Sequence, residues 1–180
     1  MEICLTYIEN DLLGSNFSRR NHQKGRVRIF IWKDINFSSL DLSNYCDEKP
    51  YEICTVQLGS TGKQWIVVCV YKAPSGKYKV LKLFDIALQS PNTPTTELLT
   101  CGDINVDYLT SSCQKQQLSL LLDTYSMFHM VNFPTRFLNN HASAIDNKYL
   151  DLSRLHVYMI LPLSCGLSDH DAQCVISKSL

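Results

Sequence analysis

The chain has 180 residues, 45% of them hydrophobic, which suits one domain with a real core. Its 17 basic and 17 acidic residues leave a formal net charge of +0, which argues against a protein that coats nucleic acid nonspecifically. No apolar run approaches the roughly 18 residues that cross a bilayer, and the opening MEICLTYIENDLLG lacks the basic stretch of a signal peptide.

From the N-terminus onward, Arg19, Arg20, Lys24, Arg26 and Arg28 form the densest basic patch, with Arg19 and Arg20 candidates for nucleic-acid contact. Runs of strand length and composition follow: VRIFIW (27–32), YEICTVQL (51–58) and WIVVCVY (65–71). The last is apolar without alternation, as in a central strand buried on both faces. GKYKVLKLFDIALQS carries Leu81, Phe84 and Leu88 at helical spacing, and SPNTPTT (90–96) has the composition of a surface loop. ELLTC (97–101) reads as another strand. QKQQLSLLLDTYSMF puts Leu118, Leu121, Leu122 and Tyr125 on one helical stripe. HMVNF (129–133), AIDNKYLD (144–151), HVYMILPL (156–163) and AQCVIS (172–177) complete the strands. Strands with interspersed helices predict an α/β or α+β layered domain spanning residues 1–180.

Polar residues collect where these strands stop. WIVVCVY ends at Tyr71, ELLTC runs into Gly102-Asp103-Ile104-Asn105, Asp146 sits within SAIDNKYLD, and Asp169-His170 precede the last strand. A strand continued through Gly-Asp-x-Asn points Asp103 and Asn105 to one side, because alternate strand residues share a face. Carboxylates suit a hard divalent cation, a His paired with a carboxylate is held in one orientation, and Asn and Tyr hydrogen-bond phosphate oxygens without adding charge. Together they point to metal-assisted hydrolysis of a phosphate ester. Eight cysteines contain no CxxC pair, and Cys69, Cys101 and Cys174 lie inside apolar runs. They read as buried, reduced thiols, which places the protein in nucleus or cytoplasm and not outside the cell.

The ordered segments YKAPSG, CGDIN, VNFPTR, SAIDNKYLD and GLSDHD resemble the endonuclease/exonuclease/phosphatase superfamily. More narrowly, they are similar to the apurinic-type endonuclease domain of non-LTR (LINE-like) retrotransposons. The resemblance covers nearly the whole chain. It implies a four-layer sandwich of two mostly antiparallel β-sheets flanked by helices, and metal-dependent (Mg²⁺ or Mn²⁺) nicking of DNA. Carried over by position, Tyr71 contacts the phosphate, Asp103 orients or deprotonates the attacking water, and Asn105 binds phosphate. Asp146 pairs with the histidine, Asp169 lies near the metal, and His170 stands beside the scissile phosphate. Arg136 is a candidate for DNA backbone contact.

The family's early Asn and metal-binding Glu have no match here, since neither Glu2 nor Glu9 has that Glu's context. The expectation is a copy whose first strands are missing. Lys24-Gly25-Arg26 stands where a glycine cluster belongs, and Lys148 replaces an apolar residue on the same strand face as Asp146. There Lys148 either reaches solvent, costs stability, or pairs with Asp146 in competition with His170. Three readings follow: a retroelement endonuclease, monomeric or within a polyprotein that carries a reverse transcriptase; a catalytically dead remnant with at most a binding role; and a phosphatase of small phosphoesters. YKAPSG and VNFPTR favour the retrotransposon group, and no polybasic membrane segment is present.

Overall fold

The structure, a computed structural model, describes residues 2–3, 11–18, 26–46, 50–59, 64–75, 85, 89, 96–151, 157–164, 166 and 168–178. The chain divides into two units, one comprising Thr6–Gly102 and the other Met1–Leu5 with Asp103–Leu180.

In the Thr6–Gly102 unit, β2 (Asp11–Ser18) pairs antiparallel with β3 (Arg26–Trp32). β3 alternates as a half-buried strand should: Val27, Ile29 and Ile31 are buried, while Arg28 and Trp32 are exposed. Its partner β2 has no such composition. The register shifts between Leu13 and Ser15, at Gly14, whose missing side chain leaves room for Ile31. β4 (Phe37–Leu40), β5 (Tyr51–Leu58), β6 (Gln64–Lys72) and β7 (Thr96–Asp103) are hydrogen-bonded in that order. β6 lies between two neighbours and buries most of its residues, as its unbroken apolar run predicts. Cys69 is an exception, half-buried where the sequence suggests full burial.

Gly102 ends this unit with φ +138, a backbone conformation that L side chains rarely adopt. A Cβ there would run into the backbone carbonyl of Val70. The glycine before Asp103 is therefore required by both backbone conformation and space.

The second unit holds α1 (Cys113–Asp123), β8 (Met127–His129), β9 (Arg136–Leu138), β10 (His141–Ser143), β11 (Asp146–Asp151), β12 (Val157–Leu163) and β13 (Ala172–Lys178), joined by the N-terminal β1 (Glu2–Ile3). Its sheet runs β1-β13-β12, all antiparallel. β11 pairs with β8, and β9 with β10. Ser112 caps α1 by accepting a hydrogen bond from the Lys115 N–H at 3.1 Å. The helix buries Leu118 and Leu122 from the expected stripe, then stops short of Ser126, which has φ 54. Asn139 and Asn140, with φ 49 and 62, close the two-residue turn between β9 and β10.

The run HMVNF is not a strand throughout. Past the end of β8 at His129, the Met130 N–H still donates to the Lys148 carbonyl at 2.8 Å, and the Asn147 side chain then takes over: its Oδ1 accepts from the Met130 and Val131 N–H groups, and its Nδ2 donates to the Val131 carbonyl at 3.0 Å. Of the expected helix in GKYKVLKLFDIALQS, Asp85 and Gln89 are described, and both are helical. The rest of that stretch, residues 90–95 of the SPNTPTT loop, and Arg19, Arg20 and Lys24 of the basic patch lie outside the described residues.

Replacing Gly102 with Ala should destabilise the protein by more than about 2 kcal/mol, since strain and a backbone clash add. Urea denaturation of the variant beside the natural chain measures this.

Candidate active site

Three groups carry the site: Asp103 at the end of β7, Asp146 at the start of β11, and His170 just before β13. Each offers one ligand atom, and these atoms lie within 4.8 Å of one another. All three belong to the Asp103–Leu180 unit.

Backbone stitching brings Asp103 to Asp146. The Ile104 N–H donates to the Ile145 carbonyl at 3.0 Å, and the Tyr108 N–H to the Ala144 carbonyl at 3.0 Å. Asp107 adds a side-chain staple, its Oδ1 accepting from the N–H groups of Ala144 at 2.9 Å and Leu109 at 3.0 Å. A turn aspartate thus binds the loop after β7 to the segment before β11.

Asn105 does not continue the strand. Its φ is 50, in the left-handed region that Asn tolerates, and its N–H donates to Asp103 Oδ1 at 3.0 Å. Asp103 and Asn105 are therefore joined by a tight turn instead of sharing a strand face. The strand period fails after Asp103 because the aspartate captures the backbone two residues on.

Asp146 is held from two sides. Its Oδ2 lies 2.8 Å from His170 Nδ1 and accepts the Thr135 hydroxyl at 2.9 Å. Thr135 Oγ1 also accepts the N–H groups of Ile145 at 3.2 Å and Asp146 at 3.1 Å. Thr135 is fully buried, and its own carbonyl accepts the Asp171 N–H at 2.7 Å, next to His170. Sequence reasoning missed Thr135. The residue lies in VNFPTR, which carried weight as a segment while its hydroxyl went unassigned.

The neighbouring charges are arranged differently. Arg136 Nε donates to Asp169 Oδ2 at 2.7 Å. This hydrogen bond holds the Asp169 carboxyl below the usual carboxylate range. Asp169 is engaged by the guanidinium and stands outside the Asp103, Asp146, His170 group. Lys148 is buried, and its ammonium donates to Gln173 Oε1 at 3.0 Å, so in this structure its head group meets a neutral amide and not the Asp146–His170 pair. Tyr71 lies on β6 in the other unit, half-buried and opposite Glu52 in register.

Burial pushes the Asp103 carboxyl up to about 6, and the Asp146 charge adds to the rise. The Asn105 hydrogen bonds and His170 pull the other way without cancelling it. The donor set fits a hard divalent cation: two carboxylates close together, with an imidazole beside them.

Set against known structures, the chain is similar to the endonuclease domain of TRAS1, a telomere-specific non-LTR retrotransposon, with TM-score 0.69 and 14% identity, covering 93% of this chain and 81% of that one. It is similar to a humanized D. rerio TDP2 with 14 mutations, with TM-score 0.67 and 11% identity, over 92% of this chain and 75% of that one. An endonuclease/exonuclease/phosphatase family protein from Bacteroides thetaiotaomicron matches with TM-score 0.54 and 15% identity, over 84% and 70% of the two chains. No protein-family model and no curated protein matches the sequence. The fold is that of endonuclease/exonuclease/phosphatase proteins, as the ordered motifs imply, with a retrotransposon endonuclease among those it resembles.

Two outcomes test this geometry. Thr135→Val removes the donor to Asp146 and the acceptor of two backbone N–H groups, that of Ile145 buried and that of Asp146 part-buried, so it should cost about 1–3 kcal/mol, whereas Thr135→Ser should recover most of it. Chemical denaturation checks both. Asp103 should also mark stability against pH. Its folded pKa lies above the unfolded value of 3.8, so the folded state binds its proton more tightly and stability falls as pH rises from about 4 to about 6. Asp103→Asn should raise the melting temperature relative to the natural chain at pH 7.5, and this gain should vanish near pH 3.5, where both states are protonated.

Proposed function

We propose that this chain is a divalent-metal-dependent DNA endonuclease domain of retrotransposon origin, cutting a phosphodiester bond. The observation that carries the reading is the Asp103, Asp146, His170 group, with His170 Nδ1 against Asp146 at 2.8 Å.

With Nδ1 turned to a carboxylate, His170 donates there and meets a phosphate through Nε2. Asp146 holds the ring in one orientation, with Nε2 left to meet a phosphate oxygen. Asp103 is suited to orient an attacking water and to take its proton, because its raised pKa of about 6 keeps it basic yet ionised at neutral pH. Thr135 keeps the Asp146 carboxylate fixed against His170. A bound Mg²⁺ or Mn²⁺ would draw on Asp103 and Asp146 and supply charge stabilisation at the phosphoryl group. A cation drawing on Asp169 as well would compete with the Arg136 guanidinium.

The remaining roles come from resemblance: Tyr71 and Asn105 as phosphate contacts, Asp169 near the metal, and Arg136, Arg19 and Arg20 along the DNA backbone. DNA as substrate draws support from the likeness to a retrotransposon endonuclease domain. A polyprotein with a reverse transcriptase, and a place in nucleus or cytoplasm, follow from the same reading. No helix among the described residues is long and apolar enough to cross a membrane.

Purified, folded protein should nick supercoiled plasmid with Mg²⁺ or Mn²⁺ and stop when the metal is chelated. Asp103→Ala and His170→Ala should each lower the rate at least about 100-fold. Folded protein that leaves plasmid intact under all these conditions would overturn the reading and leave a remnant with at most a binding role.

A further inference from the structure

The strand pair β5–β6 sets two thiols face to face. Cys54 on β5 and Cys69 on β6 are direct partners in the antiparallel register. Directly opposed residues in such a pair have Cα atoms about 4.5–5.5 Å apart and point to the same face. That spacing lies within the roughly 4.4–6.8 Å that a disulfide spans. Neither cysteine is in a disulfide in this structure.

Their exposure differs in a useful way. Cys69 is half-buried and Cys54 is buried. An oxidant therefore reaches Cys69 first, and Cys54 stands opposite as the resolving thiol. Another thiol is close in sequence: Cys46 donates to the Ile53 carbonyl at 3.5 Å. Burial pushes the Cys46 thiol up to about 11, which keeps it out of exchange.

We propose that Cys54 and Cys69 form a reversible redox pair that closes into a cross-strand disulfide. With glutathione disulfide as oxidant, the Cys69 thiolate attacks one sulfur, forming a mixed disulfide and releasing one glutathione. The Cys54 thiolate then attacks the Cys69 sulfur and displaces the second glutathione. The two protein thiols lose two protons and two electrons, and the oxidant becomes two glutathione molecules. Partial exposure of Cys69 leaves the closed bond open to attack by a reducing thiol, so the step reverses.

The position gives the bond a consequence. The next pair on that face is Glu52 opposite Tyr71, two residues along each strand. Locking Cys54 to Cys69 fixes the backbone beneath Tyr71. This coupling to activity rests on the phosphate-contact reading of Tyr71, while the cross-link itself does not.

The test is direct. Folded full-length chain is titrated with glutathione disulfide, alkylated, digested without reductant, and its linked peptides are mapped. The expected result is one dominant link between Cys54 and Cys69, reversed by dithiothreitol, absent in Cys69→Ser and retained in Cys46→Ser. Dominant links elsewhere, or no link in folded natural protein, overturn the proposal. Plasmid nicking is read in parallel. A change on oxidation that dithiothreitol reverses and Cys69→Ser lacks supports the coupling to Tyr71; a link with unchanged nicking overturns that coupling alone. Protein that links but never nicks fails the endonuclease reading and leaves the redox pair standing.

Discussion

A single buried hydroxyl joins the pieces of the candidate site. Thr135 Oγ1 accepts two backbone N–H groups, from Ile145 and Asp146, and donates to the Asp146 carboxylate. The same residue accepts the Asp171 N–H through its carbonyl and donates its own N–H to Ser143. One threonine therefore ties the approach to β11 to the segment that presents His170. A side chain that can donate and accept at once is required, and its burial makes each of those bonds costly to lose. Valine, of nearly the same shape, satisfies none of them.

Around this anchor the charges are held in tension. Asp103 and Asp146 are near enough that burial and mutual repulsion keep Asp103 partly inclined to its protonated form. Such a pair is unfavourable in a purely structural role. The nearby cations do not relieve it directly. Arg136 is bound to Asp169, and Lys148 to Gln173. The Lys148 arrangement resolves what the sequence left open: its stem is buried along β11 and its ammonium finds an amide. Asp146 and His170 remain a pair.

Much of the strand pattern was legible because it follows from burial alone. β5 and β6 appear almost where their apolar runs end, since strands covered on both faces carry continuous hydrophobic sequence. β2 was not legible, because Gly14 and the register shift break any alternation. The end of β8 escaped for another reason. Asn147 supplies side-chain hydrogen bonds where a neighbouring strand would supply backbone ones, and periodicity does not register such substitutions. At the site, Asp103, Asp146 and His170 came together as the ordered motifs implied. Asn105 followed a different geometry, because the Asp103 carboxylate captured its N–H. Thr135 was invisible because a threonine in a loop announces nothing until its partners are known.

The fold narrows the chemistry without choosing the substrate. Chains as far apart as a retrotransposon endonuclease domain and TDP2 share it with this protein at 14% and 11% identity. What persists at that distance is a way of bringing strand ends together, and function is decided by the side chains placed there. In this chain the groups that meet are two carboxylates and an imidazole, a set with little use for binding apolar or neutral ligands. A cation there would offset the negative charge that Asp103 and Asp146 bring together. The unfavourable pKa of Asp103 and the fixed Asp146–His170 pair are then two sides of one arrangement. Folding holds the two carboxylates together against their mutual repulsion.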